Sequence, residues 1–411
     1  MNKGTGKMIK CRFCNHELET IFANLNMAPI VNNYIKLENC HEQESTYPLI
    51  TYVCDKCKLV QTLDFNHAEE LFTEDYAYFS SYSISWLEHS RVYVDEICEK
   101  LNLNSNSHVM EIASNDGYML QYFKDKNIPL LGVEPCKSVA NVAIMKGINT
   151  LVEFFGHELG KKLPKSDLIC MCNVLAHVPD INDFMAGIKE ALNPTGTVTI
   201  EFPHLSNIIK LNQFDTIYHE HYSYLSLMFT SKLFESNGLK IYDVEEIETH
   251  GGSLRVYGCH KDYDIEISKN VENVLNDEIA LGLDNIETYK KYSEKVKKTK
   301  RALLALLIDI KNKNKSIVAY GAAAKGNTLF NYCGISTDFI DYSVDLNPHK
   351  QNTLLPGSHI PVYSPEKIKE TKPDYILIAP WNIKDEIIKQ LDYTKQWGCK
   401  FIVAIPEAHI I

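Results

Sequence analysis

The chain has 411 residues, enough for two or three domains and a substantial core. Its net charge of -11 excludes a nucleic-acid backbone as principal partner, because phosphate binding draws on clustered Lys and Arg. Its 12 cysteines suit a reducing compartment if some bind metal and the others are small core residues.

Residues Met1 to Lys10 are polar and lack an apolar leader stretch, and no run reaches the length of a membrane span, so the sequence predicts a cytoplasmic protein with no membrane partner. Cys11-Arg-Phe-Cys14 is followed, after 39 residues, by Cys54-Asp-Lys-Cys57. Two such knuckles supply four thiolates in tetrahedral array, the closed site of a structural zinc ion. Cys40 and His41 are possible substitutes, but the paired spacing favours Cys11, Cys14, Cys54 and Cys57. Having no open position, the site is expected to serve folding and not catalysis. The segment between, with Pro29, Asn32, Asn33, Tyr34 and Pro48, reads as loops and short strands. Next, Tyr76-Ala-Tyr78-Phe-Ser80-Ser81-Tyr82 leads into a helix over about 84–101. Tyr76, Tyr78 and Ser81 are candidates to line a cleft at a domain junction, although tyrosines of this kind more often pack.

Val109 to Leu120 reads as a buried strand, a turn over Ser114, Asn115, Asp116 and Gly117, and the start of a helix. A second strand, Pro129 to Val133, ends in Glu134 and Pro135, and Glu134 lies 23 positions after Glu111. An acidic residue at the end of the second strand of a doubly wound sheet can accept both ribose hydroxyls of a nucleoside. The loop has neither GxGxxG nor GxxxxGK[ST], so no pyrophosphate cradle is indicated. A short acidic loop suits a nucleoside carrying a cation, and S-adenosylmethionine is one. Alternation continues with a helix near 137–146, a short segment near 149–152 and a strand over 167–172 that ends in Asn173 and His177. A helix to about Leu192, a turn at Asn193 to Gly196 and a strand over 197–202 ending in Pro203-His204 follow. Such alternation implies a parallel sheet with ligands outside its carboxyl edge. Ser114 to Gly117, Glu134, Asn173, His177 and His204 are expected to gather there.

The densest chemical cluster is Asp215-Thr-Ile-Tyr218-His219-Glu220-His221-Tyr222-Ser-Tyr224. If extended, it would place His219 and His221 on one face and Tyr218, Glu220 and Tyr222 on the other. A histidine here can take a proton from carbon or oxygen while tyrosine hydroxyls stabilise an oxyanion. Two histidines and a carboxylate could instead form a facial metal triad, a looser pattern and the second choice. Strands are predicted over 240–247 and 253–259, flanking His250-Gly-Gly252-Ser-Leu-Arg255, a turn with a possible role in holding an anionic substrate. Long helices fill 265–312, with a Lys-rich run best read as a solvated face. The last third repeats the α/β theme: strand 316–320, a small-residue turn with Lys325 and Asn327 opening a helix, and strands 339–344, 375–379 and 400–405. The glycine pattern for NAD is absent there.

The sequence resembles the sugar C-methyltransferase family over essentially its whole length. The carriers are the four cysteines, Glu-Ile-Ala-Ser-Asn-Asp-Gly at 111–117, Tyr-His-Glu-His at 218–221, His-Gly-Gly-Ser-Leu-Arg at 250–255 and Tyr-Gly-Ala-Ala-Ala-Lys-Gly-Asn at 320–327. The resemblance implies an α/β chain of three parts: a zinc-binding domain over 1–73, an S-adenosylmethionine-binding Rossmann-like domain over 74–250 and a C-terminal Rossmann-like domain over 251–411. It implies methylation of the carbon beside the ketone of a nucleotide-linked keto-deoxy sugar, in deoxysugar and polysaccharide biosynthesis. His221 would be the general base, with Glu220, Tyr218 and His177 near the sugar and a tyrosine at 76 or 78 closing over it. Glu111, Ser114, Asn115, Gly117, Glu134, Pro135 and Asn173 would hold the cofactor. Ser81, His219, Tyr222, His250, Gly252, Arg255, Lys325 and Asn327 would meet the nucleotide-sugar. The family leans towards monomers. O-methylation, an NAD- or metal-dependent sugar-modifying enzyme, and a zinc-bearing binding protein are the rival readings.

Overall fold

The computed structural model describes residues 8–65 and 79–411. The N-terminal part is an antiparallel sheet of β1 (Thr20–Ala28), β2 (Tyr47–Val53) and β3 (Val60–Thr62), completed by the two-residue strand Ser223–Tyr224 from much later in the chain. Another two-residue strand, Ile35–Lys36, pairs with Thr353–Leu354 near the C-terminus. These two pairings tie the cysteine module to both later units.

Helix α1 (Ile84–Leu101) starts where Ser83 Oγ accepts from Trp86 N at 3.3 Å and stops at Asn102, whose φ of 53° is left-handed. Then come β4 (Val109–Ile112), α2 (Leu120–Asp125), β5 (Leu130–Val133), α3 (Lys137–Met145), β6 (Thr150–Leu151), β7 (Ser166–Cys172), α4 (Ile181–Ala191), β8 (Leu192–Pro203), α5 (Leu227–Ser236), β9 (Leu239–Ile247) and β10 (Ser253–His260). They form one seven-stranded sheet in the order β9-β10-β8-β7-β4-β5-β6. β4 and β7 lie mid-sheet with helices on both faces, so both read as nearly continuous apolar runs. β10 runs antiparallel between β8 and β9 and belongs to this sheet, so a boundary at 250/251 would cut the sheet before its last strand. The turn expected at Asn193 to Gly196 exists as a bulge within β8: Ser166 faces Leu192 while Leu168 already faces Thr197.

Helices α6 (Lys269–Leu281) and α7 (Ile286–Asn312) follow. α7 buries one stripe of Tyr289, Tyr292, Val296, Thr299, Leu303, Leu307 and Ile310, and Tyr292 stacks on Phe22 of β1 at 4.3 Å. Its lysines take the other face, as their spacing predicts. The last unit, with β11 (Ile317–Tyr320), α8 (Ala324–Cys333), β12 (Ser343–Val344), β13 (Val362–Tyr363), β14 (Tyr375–Ile378), β15 (Lys400–Val403) and β16 (His409–Ile410), has the order β13-β12-β11-β14-β15-β16. All but β16 are parallel. Of the strand expected over 339–344, only Ser343–Val344 pairs; Phe339 instead closes a turn onto Ser336 O. Among the described residues no helix is long and apolar enough to cross a membrane.

Candidate active site

At the carboxyl edge of the seven-stranded sheet the chain after β4 turns sharply. Ala113, Asn115 and Gly117 all have positive φ, and a Cβ at Gly117 would stand 2.3 Å from Ile148 Cδ1. Asn115 N and Cys136 N each donate to one oxygen of Glu134, at 2.9 and 2.8 Å, while Ser80 N donates to Asn115 Oδ1 at 2.9 Å. Burial pushes the Glu134 carboxyl up, against those two amides. The turn borders a cavity of about 430 Å³. Ile112, Val133, Phe154, Phe155 and Phe184 wall this end, with Asn115, Glu134, Pro135 and Asn173 among them. Apolar walls for a purine, a buried carboxylate after the second strand, and no described Lys or Arg lining at this end fit a nucleoside bearing a positive charge.

The other end is built by all three parts of the chain. From the segment before Ser223–Tyr224 come Thr216, Tyr218, Glu220 and His221; from the loop after β7 comes His177; from the turn between β9 and β10 comes His250; Asn32, Lys325 and Lys350 complete the wall. His221 N bonds Tyr218 O at 2.9 Å, which makes 218–221 a turn and not a strand. His221 Nδ1 lies 2.7 Å from Thr216 O. A carbonyl only accepts, so Nδ1 carries the proton and Nε2 is left as the basic nitrogen. The His177 ring packs edge-on at 4.7 Å and the Tyr218 ring lies at 3.9 Å. Burial holds His221 well below the usual imidazole value and brings His177 and His250 each to about 4, so all three are neutral at pH 7. Burial raises the Glu220 carboxyl to about 7, with Asn32 pulling the other way. Lys325 is also depressed by burial; its Nζ lies 3.3 Å from His250 O.

The turn overturns the extended reading of this segment. His219 points out of the cavity and sits edge-on to the rings of Tyr47 and Phe65, at 5.9 and 6.5 Å. Tyr222 is buried under the Arg12 guanidinium, 5.1 Å from its ring centroid. His219, Glu220 and His221 therefore do not converge as a metal triad, and among the described residues the cysteine quartet is the one cluster able to hold a metal. Several other candidates also fall away from the cavity. Arg255 Nη2 pairs with Glu201 at 3.0 Å and Nη1 with Glu245 at 3.3 Å, so its charge is spent inside the sheet. His204 Nε2 is 2.7 Å from Glu278. Asn327 Nδ2 donates to Val31 O at 2.7 Å, Ser81 Oγ accepts from Lys146 at 3.2 Å, and Gly252 backs against Asn207. Glu111 and Ser114 are fully buried behind the cavity wall, Ser114 against Gly132. Gly117 shapes the turn without lining the cavity. Tyr76 and Tyr78 lie outside the described residues.

The four cysteine sulfurs lie within 4.8 Å of one another, with Cys11 to Cys57 and Cys14 to Cys54 both at 3.6 Å. Zinc–sulfur bonds of about 2.3 Å in a tetrahedron give edges of about 3.8 Å, so the quartet fits zinc. Gln61 Nε2 donates to Cys11 Sγ at 3.2 Å, an outer-shell hydrogen bond suited to a thiolate.

Family comparison follows the same three parts. Residues 11–72 match the description "Putative zinc binding domain", 86–244 "Methyltransferase domain" and 248–406 "C-methyltransferase C-terminal domain". The C-methyltransferase NovU of Streptomyces niveus is 32% identical over 406 residues, which cover 98% of this chain and 96% of that protein. The chain belongs to the C-methyltransferase family. It is thus an S-adenosylmethionine-dependent methyltransferase with a zinc-binding N-terminal module. Among solved structures, the PH0226 protein of Pyrococcus horikoshii OT3 is 13% identical with a TM-score of 0.38, covering 46% of this chain and 100% of that one. Magnesium protoporphyrin IX methyltransferase ChlM of Synechocystis PCC 6803 with bound SAH is 12% identical with a TM-score of 0.35, covering 42% and 82%.

The methyltransferase also has cavity residues that sequence reasoning missed: Asn32, Trp86, Thr216, Phe154, Phe155, Phe184 and Lys350. Asn32 lies in a polar loop that offers no periodicity, and the phenylalanines look like ordinary core. Trp86, in the first turn of a helix that begins beside the cofactor loop, and Thr216, inside the 215–224 cluster, carried a local hint.

Proposed function

We propose that the methyltransferase alkylates the carbon beside the ketone of a nucleotide-linked keto-deoxy sugar, with His221 as general base. The observation that carries this reading is the His221 Nδ1 bond to Thr216 O, because it leaves a neutral imidazole with its Nε2 lone pair free on a side chain that lines the cavity. A carbon next to a ketone loses its proton when the oxygen that receives the electron pair is hydrogen-bonded. His221 Nε2 takes the proton, the C–H electron pair becomes the carbon–carbon double bond of an enolate, and Tyr218 hydrogen-bonds its oxygen, while His177, packed edge-on against the His221 ring, sets that ring's plane. Glu220, in its ionised form, accepts from a neighbouring sugar hydroxyl and fixes the ring's rotation. S-adenosylmethionine, when bound, supplies an electrophilic methyl on a sulfonium. Glu134, Asn115 and the phenylalanine walls hold that donor's nucleoside, which sets the methyl toward the sugar end. His250, Lys325 and Lys350 line the sugar end, where two lysines favour a substrate carrying phosphate.

The test is mass spectrometry of a panel of nucleotide-linked sugars, with and without a ring ketone, after incubation with methyl donor. A gain of one methyl on keto sugars alone, and uptake of solvent deuterium beside the ketone when the donor is withheld, is the expected pattern. Methylation of non-keto sugars, or methyl transfer with no deuterium uptake, would favour oxygen as the acceptor and end the enolate mechanism.

A further inference from the structure

Asn32 lies in the loop between β1 and β2, within the module that carries the four cysteines, and is that module's one described residue in the cavity wall. Its Nδ2 donates to both oxygens of Glu220, at 2.9 Å each. One N–H bifurcated evenly between the two oxygens matches a carboxylate; a protonated carboxyl would turn its own O–H towards that donor. The loop is held on both sides of Asn32 by the C-terminal unit, through Asn327 Nδ2 to Val31 O at 2.7 Å and the Tyr34 hydroxyl to Ala322 O at 2.5 Å. Its reach into the cavity is therefore fixed by tertiary contacts, and the carboxyl it meets is nearly fully buried.

We propose that Asn32 is a positioning residue for methyl transfer, favouring the carboxylate form of Glu220 and aiming it at the sugar, so that the cysteine module takes part in turnover as well as in folding. This rests on the reading that Glu220 acts on the sugar. Both oxygens of that carboxylate are engaged by one side chain, which also fixes the plane in which their remaining lone pairs face the cavity. The titratable groups on the elements packed around Glu220 are His177, Tyr218, His221 and His250, Tyr34 of the Asn32 loop, and Lys325 and Lys350 of the C-terminal unit, the two lysines facing Asp215 and Asp345 in turn. Burial holds the three histidines below neutrality, carries Glu220 to about 7 and Asp215, which faces Lys325, to about 6, so the limb of Glu220 is identified by its loss in E220Q. A donor bonded to the charged form lowers a carboxyl pKa, and its removal raises it.

The experiment measures kcat/KM against pH for the zinc-loaded enzyme, N32A, N32S, E220Q and N32A/E220Q, with a nucleotide-linked keto-deoxy sugar as acceptor. In N32A the acidic limb is expected to move up by about one pH unit, which lowers kcat/KM about fivefold at pH 7 and approaches tenfold well below it. N32S, which keeps a donor, is expected to recover part of the shift, while zinc content and methyl-donor binding match the wild type. Within the E220Q background, N32A is expected to cost less than about twofold more, because the two side chains act as one unit. Limbs unmoved in both N32A and N32S, or losses that multiply in the double variant, overturn the proposal. The base assignment is judged separately, by deuterium uptake in His221 variants, so either idea can fail without the other.

Discussion

His221→Asn and His221→Ala separate the chemistry of this side chain from its structural part. The Nδ1 bond to Thr216 O joins two buried groups, so the alanine variant strands an acceptor and is expected to lose about 1–3 kcal/mol of stability. Asparagine can donate its amide to the same carbonyl and so is expected to restore most of that loss, yet it has no basic nitrogen. A positioned general base contributes roughly 10²–10⁴ in rate. Both variants are therefore expected to fall by that factor in methyl transfer, about 3–5 kcal/mol of barrier at 1.36 kcal/mol per decade. Donor binding by calorimetry is expected to stay within twofold, since Glu134, Asn115 and the phenylalanines line the far end of the cavity. The decisive assay is deuterium uptake beside the ketone without methyl donor, run with initial methyl-transfer rates. Uptake falling in parallel with transfer, with partial recovery of the alanine variant in added imidazole, is the expected result. Turnover of His221→Asn within threefold of wild type, or uptake intact while transfer is lost, refutes the assignment.

Arg255→Leu removes the partner of a buried carboxylate and is expected to cost about 3 kcal/mol by urea denaturation, with KM for the sugar unchanged. Burial alone raises the Glu201 carboxyl, but His89, Arg255 and Thr249 outweigh it and bring it to about 2, below its unfolded value near 4.5. That contribution is complete above about pH 4.5 and lost as pH falls through about 2, so the variant's deficit should shrink between pH 5 and pH 2; a deficit that grows there contradicts the pairing. Gly117→Ala combines a φ of +76° with a Cβ 2.3 Å from Ile148 Cδ1, for a loss of about 2–4 kcal/mol and weaker donor binding; a loss under about 1 kcal/mol would show that the turn relaxes freely. Stripping zinc with a strong chelator is expected to abolish turnover while calorimetry still detects donor binding, because the zinc module's one described residue in the cavity wall is Asn32, at the sugar end, and the donor end is lined by residues of the seven-stranded sheet's own strands and loops. Full turnover in protein shown by elemental analysis to be metal-free would contradict it.

Local chemistry is what the one-dimensional chain determined here. The two cysteine knuckles, the strand-turn-helix around Gly117, the acidic residue after the second strand and the helix over 84–101 are all written in neighbouring residues: ligand spacing, turn formers, caps and apolar periodicity. Within each knuckle, turn and helix the signal acts over a few positions, and the two knuckles are matched by their like spacing although 39 residues separate them. Tertiary structure decided which polar side chains face the cavity. His219 and His221 are two residues apart and would share a face in a strand, but the 218–221 turn sends one between Tyr47 and Phe65 and the other to Thr216 O. Arg255 looked free to meet an anion until the antiparallel insertion of β10 set it against Glu201, 54 positions away. Asn32 had no visible role at all, because Glu220, which it holds, is 188 residues distant. A side chain's direction depends on backbone torsions and on partners brought in by the fold. Those partners come from distant stretches of the chain whose pairing no local pattern encodes.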